Sequence, residues 1–385
     1  MSVTAPQGFR AAGVVAGLKS SGGKDLALVV NDGPSSVAAC VFTANRCKAN
    51  PVLWSQHVIG DGTARAVVLN SGGANCYTGA EGFQTTHAVA ERAAERLGFG
   101  AVDVLVCSTG LIGLRNDRGL LLDGVDRAAA VLGAEQAHGA DAAAAIMTTD
   151  TVAKTVVVEG PGWSIGGMAK GAGMLAPQLA TMLVVLTTDS LVDAHTADRA
   201  LRAATRVSFD RLDSDGCMST NDTVALLASG ASAITPTEPE LTASLTQACT
   251  DLARQLLADA EGAEHEIAIN VLNAASEDDA VEVGRSVARS NLFKAAVFGC
   301  DPNWGRVLAS IGTTRAAFDP ADLDVAMNGV WVCRGSEPHE PAESVDLRPR
   351  DVSVTIDLKA GPARATVWTS DLTHAYVHEN SAYSS

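Results

Sequence analysis

The chain has 385 residues, 47% of them hydrophobic and only 4% aromatic, enough for one large domain or two around an aliphatic, alanine-rich core. Its 28 basic and 44 acidic residues leave a net charge of −16, which argues against a nucleic-acid partner, since phosphate backbones call for lysine and arginine patches. No apolar run approaches the roughly 20 residues that cross a bilayer, and Met1-Ser2-Val3-Thr4-Ala5-Pro6 has no charged stretch leading into an apolar one, so a cytoplasmic protein without membrane contact is expected.

In chain order, Asp25 to Val30, Arg65 to Leu69 and Asp103 to Cys107 are rich in β-branched residues with turn-like flanks and read as buried strands. Ala80 to Leu97 has helical spacing. Thr151 to Glu159 and Ser164 to Met168 form a strand pair about the turn Gly160-Pro161-Gly162. Met182 to Thr188 reads as a central strand and Thr196 to Val207 as a helix. Leu241, Leu245, Ala248, Leu252 and Leu256 make one apolar stripe, so Glu238 to Ala258 is a helix. Glu266 to Leu272 alternates as a half-buried strand should, and Asp279 to Ser290 is helical. Val352, Val354, Ile356 and Leu358 alternate again, and Ala365 to Thr369 is expected to pair with them as a hairpin across Lys359-Ala360-Gly361-Pro362. Ser336 to Glu343 reads as an exposed loop. There is no clean βαβ rhythm, and an α/β fold of sheets covered by helices on their outer faces fits the pattern.

Cys40, Cys47, Cys76, Cys107, Cys217, Cys249, Cys300 and Cys333 are scattered without a Cys-x-x-Cys pair, and read as buried reduced thiols. No metal site is expected. His374 and His378 are four apart in a segment read as strand or tail, with no third ligand nearby. Asp213 and Asp215 lack the spacing and closing glutamate of a calcium loop.

Residues 168–184 carry the most information. Glycine-rich Lys170-Gly171-Ala172-Gly173 runs to the small-residue junction Ala180-Thr181, and the apolar run Met182 to Leu186 follows at once. This suits a chain that cuts itself before Thr181: the freed α-amino group, with a pKa of about 8, then serves as base for the threonine's own hydroxyl. An ordinary loop before an ordinary strand is the other reading of the same residues.

The words around this junction resemble the ornithine acetyltransferase (glutamate N-acetyltransferase) family of arginine biosynthesis, through Lys170-Gly171-Ala172-Gly173-Met174, Pro177 and Ala180-Thr181-Met182-Leu183. The resemblance runs the length of the chain. It takes in Gly8 to Gly13, Lys24 to Leu28, Phe42 to Asn45, Asn70 to Asn75, Ser108 to Gly113, Thr148 to Thr151, Ser219 to Thr223, Glu261 to Ala263, Asp301 to Arg306 and the end from Tyr376 to Ser385. It implies a layered α-β-β-α sandwich like that of N-terminal-nucleophile hydrolases, with a topology of its own. It also implies fragments 1–180 and 181–385, the second holding an α/β portion from about residue 260, and an assembly of two copies of each.

By the same resemblance Thr181 is the nucleophile, first cleaving the Ala180–Thr181 bond and then carrying an acetyl group from N-acetylornithine to glutamate. Thr109 and Gly110 form the oxyanion hole through a hydroxyl and a backbone N–H. Lys170 holds a substrate carboxylate and Glu261 the ammonium group of ornithine, while Thr148, Asn380 and Ser385 line the pocket. Read alone, Lys170 and Glu261 are equally well surface charges, and Thr109-Gly110 a turn after a strand. No cofactor is implied, although acetyl-coenzyme A is a possible second donor. The sequence departs from the family at Gly73, Asp210, Glu264-His265 and Ser384-Ser385; the change beside Glu261 puts substrate contacts there in question. The competing expectations are a self-cleaving aminopeptidase that discharges the acyl group to water, and an uncleaved homologue that only binds amino acids.

Overall fold

The computed structural model describes residues 2–175 and 182–382. Three sheets organise them. The first has four strands in the order Phe9–Val14, Leu26–Asn31, Ala66–Asn70, Val104–Ser108, with only the last pair parallel. The second has five, in the order Val37–Phe42, Thr223–Ala228, Leu183–Thr188, Trp163–Lys170, Lys154–Gly160. The strand expected to be central, Leu183–Thr188, is the middle one, parallel to Thr223–Ala228 and antiparallel to Trp163–Lys170.

Side chains alternate across a strand with a period of two, and this strand uses both faces. Leu183 and Val185 join the core that holds Leu28, Val67 and Val106 of the first sheet. Val184 and Leu186 instead pack with Ala197, Leu201, Leu245 and Leu252 from the helices Ala194–Arg206 and Glu238–Ala258. With the helices Gly79–Leu97 and Arg118–Ala130 packed against the first sheet, the layers run helix, sheet, sheet, helix. The expected sandwich is therefore the observed one.

Glu238–Ala258 starts and ends where its sequence says it should. Thr237 accepts from the Glu240 N–H, Glu240 reaches back to the Thr237 N–H, and Pro239 occupies the first turn. The expected stripe is wholly buried.

The third sheet, of six strands, has its own core against the helices Glu277–Ala288, Asn291–Phe298 and Trp304–Ile311. Here the expected hairpin does not form. Asp351–Asp357 and Ala363–Ser370 flank Glu266–Ala274 on opposite sides, the first parallel to it and the second antiparallel. The connection donates from the Leu358, Ala360 and Gly361 N–H groups to the Leu272 and Asn273 carbonyls, and so crosses the end of the middle strand. Three other expectations change. Within Ser336 to Glu343, expected as a loop, Glu337–Pro338 is the edge strand of this sheet. His374–Ala382 is a helix rather than a strand or tail. Of the eight cysteines, all free, Cys47, Cys217 and Cys300 are exposed.

Candidate active site

Strand Val104–Ser108 ends at Thr109, which is 1% exposed and donates its N–H to the Asn70 carbonyl at 2.9 Å. Gly110 follows with φ of 123°, a value that favours glycine. Its Cα faces the Gly72-Gly73 backbone so closely that a Cβ would lie 2.9 Å from the Gly73 nitrogen. Asn221 ties these loops together by donating to the Ala74 carbonyl at 2.6 Å and to the Ser108 carbonyl at 2.7 Å.

Lys170 closes strand Trp163–Lys170 and is only 2% exposed, which removes the reading of a solvated lysine. Its Nζ donates to Thr109 Oγ1 at 3.4 Å. Because that oxygen accepts from Lys170, the threonine's own hydrogen is left to donate elsewhere. Burial pulls the Lys170 ammonium pKa below its usual range, and Asp150 works against that fall.

Asp150 is the hub beneath the site. Its Oδ1 accepts from the Gly171 N–H at 2.7 Å and from Lys154 Nζ at 2.6 Å. Its Oδ2 accepts from the Thr148 N–H at 2.9 Å and lies 4.0 Å from Lys170 Nζ. Lys154 also contacts Asp259, which in turn accepts from Thr151. Burial alone raises the Asp150 pKa, but Lys170, Lys154 and the Gly171 amide outweigh it and hold the carboxyl at about 2.

Glu261 is half-buried and donates its N–H to the Ala172 carbonyl, and a Cβ on Gly173 would lie 2.7 Å from its carboxyl. Asn380 donates to Glu261 Oε2 at 2.9 Å. The helix His374–Ala382 delivers it by folding over Gly262, whose φ is 61° and where a Cβ would stand 2.2 Å from the Tyr376 nitrogen. Thr109, Gly110, Thr148, Lys170, Glu261 and Asn380 are thus gathered around the end of one strand. Ala180, Thr181 and Ser385 lie outside the described residues. Both flanks of 176–181 are held by one loop: Ser214 donates its N–H to the Leu175 carbonyl at 2.5 Å, and the Met182 N–H donates to Asp222 Oδ1 at 3.0 Å. Burial raises the Asp222 pKa far above the usual carboxylate range.

Sequence reasoning missed Asp150, Lys154, Asp259, Asn221 and Asp222 as site residues. Asp150, Asn221 and Asp222 stood inside motifs already singled out, but nothing in local spacing joined Lys154 to Asp259. Among the described residues no group of three His, Cys, Asp or Glu side chains is placed to hold a metal ion.

The ArgJ family model matches residues 10–385. The chain belongs to the ArgJ family. It is 62% identical over 385 residues to the arginine biosynthesis bifunctional protein ArgJ of Streptomyces avermitilis, covering 100% of both chains. The protein of the same name from Thermobifida fusca is 62% identical over 384 residues, again with 100% of both covered. Among solved structures, ornithine acetyltransferase from Mycobacterium tuberculosis complexed with ornithine is 53% identical, with a TM-score of 0.46 over 47% of this chain and 96% of that one. The resemblance drawn from the motifs is therefore a membership.

Two of the departures, His265 and Gly73, have local reasons. His265 is held in a lock: Nδ1 meets Asp371 Oδ2 at 2.7 Å, Nε2 meets the Leu347 carbonyl at 3.0 Å, and Asp371 Oδ1 accepts from the Glu264 and His265 N–H groups. Both ring nitrogens are thereby engaged within the protein. A Cβ at Gly73 would lie 2.2 Å from Asn116 Oδ1, so glycine there lets Asn116 reach the Gly73 carbonyl. At Asp210 it is the backbone carbonyl that accepts from Arg285 at 3.0 Å, a bond that does not depend on the side chain. Ser384 and Ser385 lie outside the described residues.

Proposed function

We propose that this chain is an ornithine acetyltransferase that moves an acetyl group from N-acetylornithine to glutamate, giving ornithine and N-acetylglutamate in arginine biosynthesis. The observation that carries the reading is the meeting of Thr109, Gly110 and buried Lys170 at one place, in a chain whose ArgJ-family match runs from residue 10 to its last residue. In this reading the Thr181 hydroxyl attacks the Ala180 carbonyl and the resulting ester hydrolyses, leaving fragments 1–180 and 181–385. The same oxygen then attacks the acetyl carbonyl of N-acetylornithine. The Thr181 α-amino group takes the hydroxyl proton and returns it to the departing ornithine amine. Thr109 and the Gly110 N–H stabilise the oxyanion of each tetrahedral intermediate. The glutamate amine then attacks acetyl-Thr181 and restores the free threonine.

Lys170 holds the substrate carboxylate and Glu261 the ornithine ammonium, with Thr148, Asn380 and Ser385 completing the pocket. The word bifunctional in the names of the relatives agrees with acetyl-coenzyme A as a second acetyl donor. We further propose that two copies of each fragment assemble and that the protein works in the cytoplasm; no helix among the described residues is long and apolar enough to cross a membrane.

The test is the intact mass of the purified protein beside Thr181→Ala, followed by acetyl transfer with and without glutamate. The reading expects two fragments in the parent, the second starting at Thr181, one intact chain in the variant, and ornithine release stimulated by glutamate. Release without such stimulation is the outcome of an aminopeptidase-like enzyme. One intact chain in both, with amino-acid binding untouched by the substitution, is that of a binding protein.

A further inference from the structure

Four charged side chains lie in a buried line under the site, and only one of them reaches the oxyanion loop. Asp259 and Asp150 both contact Lys154, and Asp150 is the negative neighbour of Lys170, whose Nζ touches Thr109. Lys154 and Asp150 have fully buried side chains, and those of Lys170 and Asp259 are 2% and 8% exposed. Such a row is costly to bury unless every member is paired. The pairing here is uneven. Lys154 and the Gly171 N–H occupy Asp150 Oδ1, and the Thr148 N–H occupies Oδ2. Asp150 therefore stands 4.0 Å from Lys170, near enough to attract the ammonium and beyond hydrogen-bond reach. Of the three hydrogens on Lys170 Nζ, one goes to Thr109, and Asp150 takes none.

Resting on the acetyl-transfer reading, we propose that Asp150 is a positioning residue for that reaction: it fixes the Thr148 loop and the Gly171 turn at the end of the strand, and orients Lys170 toward the carboxylate of the amino-acid substrate without capturing it. Lys154, anchored on Asp259, is the counterweight that keeps Asp150 from closing on Lys170. The charged groups acting on Lys170 are Asp150, Lys154, Asp222 and Glu261, with Lys19 on the same circuit. Asp150, Asp222 and Glu261 favour the ammonium, while Lys154 and burial disfavour it.

Two substitutions push Lys170 in opposite directions. Asp150→Asn removes the attracting charge and lowers the pH at which Lys170 titrates. Lys154→Gln removes a repelling charge and one of the two donors on Asp150 Oδ1, which raises that pH and ties the ammonium up. Either way the KM for glutamate and N-acetylornithine rises by roughly tenfold, the effect of one charge-assisted hydrogen bond. In each case kcat falls less than kcat/KM, and Asp150→Glu recovers part of the loss. The measurement is the 13Cε resonance of Lys170 against pH, in protein labelled at its seven lysines and assigned with Lys170→Gln, beside steady-state kinetics on cleaved enzyme. Titration of Lys170 moving down in Asp150→Asn, or up in Lys154→Gln where the first variant does not fold, together with the raised KM, supports the proposal. A folded variant of either kind with an unmoved Lys170 titration overturns it, as does an Asp150→Asn enzyme with parental KM. A parent without acetyl transfer defeats the functional reading alone, because the Lys170 resonance reports on Asp150 whatever the reaction.

Discussion

A methyl group at Gly110 meets the Gly73 nitrogen at 2.9 Å, on a backbone whose φ of 123° already disfavours a side chain. With Gly110 as the proposed oxyanion donor, Gly110→Ala is therefore expected to displace its loop and lower the rate of acetyl transfer by about 100-fold or more, the usual cost of losing such a donor. Thr109→Val keeps the shape and removes the hydroxyl, and is expected to cost a similar factor in kcat, while Thr109→Ser retains activity within about tenfold. Presteady-state acetylation of the cleaved enzyme reads both. Two carboxylates set opposite pH responses of stability. Asp150 is held at about 2, below its ordinary 3.8, so the stabilisation it gives is present above pH 3.8 and is lost as pH falls toward 2; it amounts to roughly 2 kcal/mol. Asp213 is pushed by burial up to about 6 against the pull of Arg289, so its contribution is full below pH 3.8 and is lost as pH rises through 6. Urea midpoints against pH are expected to lose their steepest acid limb in Asp150→Asn, and their decline between pH 4 and 6 in Asp213→Asn.

The strand Leu183–Thr188 is bonded along both edges, to Trp163–Lys170 on one side and Thr223–Ala228 on the other, and each of its residues is buried. If the chain is cut before Thr181, this strand stays in the sheet. The two fragments are expected to run as one species in native mass spectrometry and to separate only in denaturant; spontaneous separation in buffer contradicts this account of the sheet. The C-terminal helix is the opposite case. His374–Ala382 has no buried residue and rests on Gly262, with Thr373 Oγ1 donating to the Gly262 carbonyl at 2.6 Å. Gly262→Ala places a Cβ 2.2 Å from the Tyr376 nitrogen and is expected to lift the helix and draw Asn380 from Glu261. Faster hydrogen exchange across 374–382, with a KM for N-acetylornithine raised by roughly tenfold, is the expected result.

Across the molecule, the third sheet and its helices carry Glu266–Ala274 beside the segment that holds Glu261, and the His265–Asp371 lock fastens the two. His265→Ala leaves a buried carboxylate without its ring partner. The expected cost is about 3 kcal/mol, seen as a Tm lower by roughly 4 °C, with kinetic constants at 25 °C close to the parent's. An unchanged Tm means that the lock adds nothing.

Much of this fold was legible because local rules decide it. The stripe of Glu238–Ala258 and the alternation in Glu266–Ala274 are short-range patterns with one satisfactory burial each. The identity of the chain was legible too, since ordered motifs from Gly8 to Ser385 specify a family without any contact being known. What the tertiary structure alone decided is how distant residues combine. Asp351–Asp357 and Ala363–Ser370 alternate like hairpin partners, yet Glu266–Ala274, whose residues lie 85 positions before their partners in Asp351–Asp357, stands between them, and only long-range hydrogen bonds choose that order. Lys170 read as solvent-exposed or functional with equal ease; its burial against Thr109, 61 residues away, removes the solvent-exposed reading. Asp150, Lys154 and Asp259 became one network because a loop, a strand and the end of a helix converge, with partners up to 108 residues apart. Sequence fixes residue type and local period, whereas the pairing of buried charges depends on which surfaces meet when the sheets close.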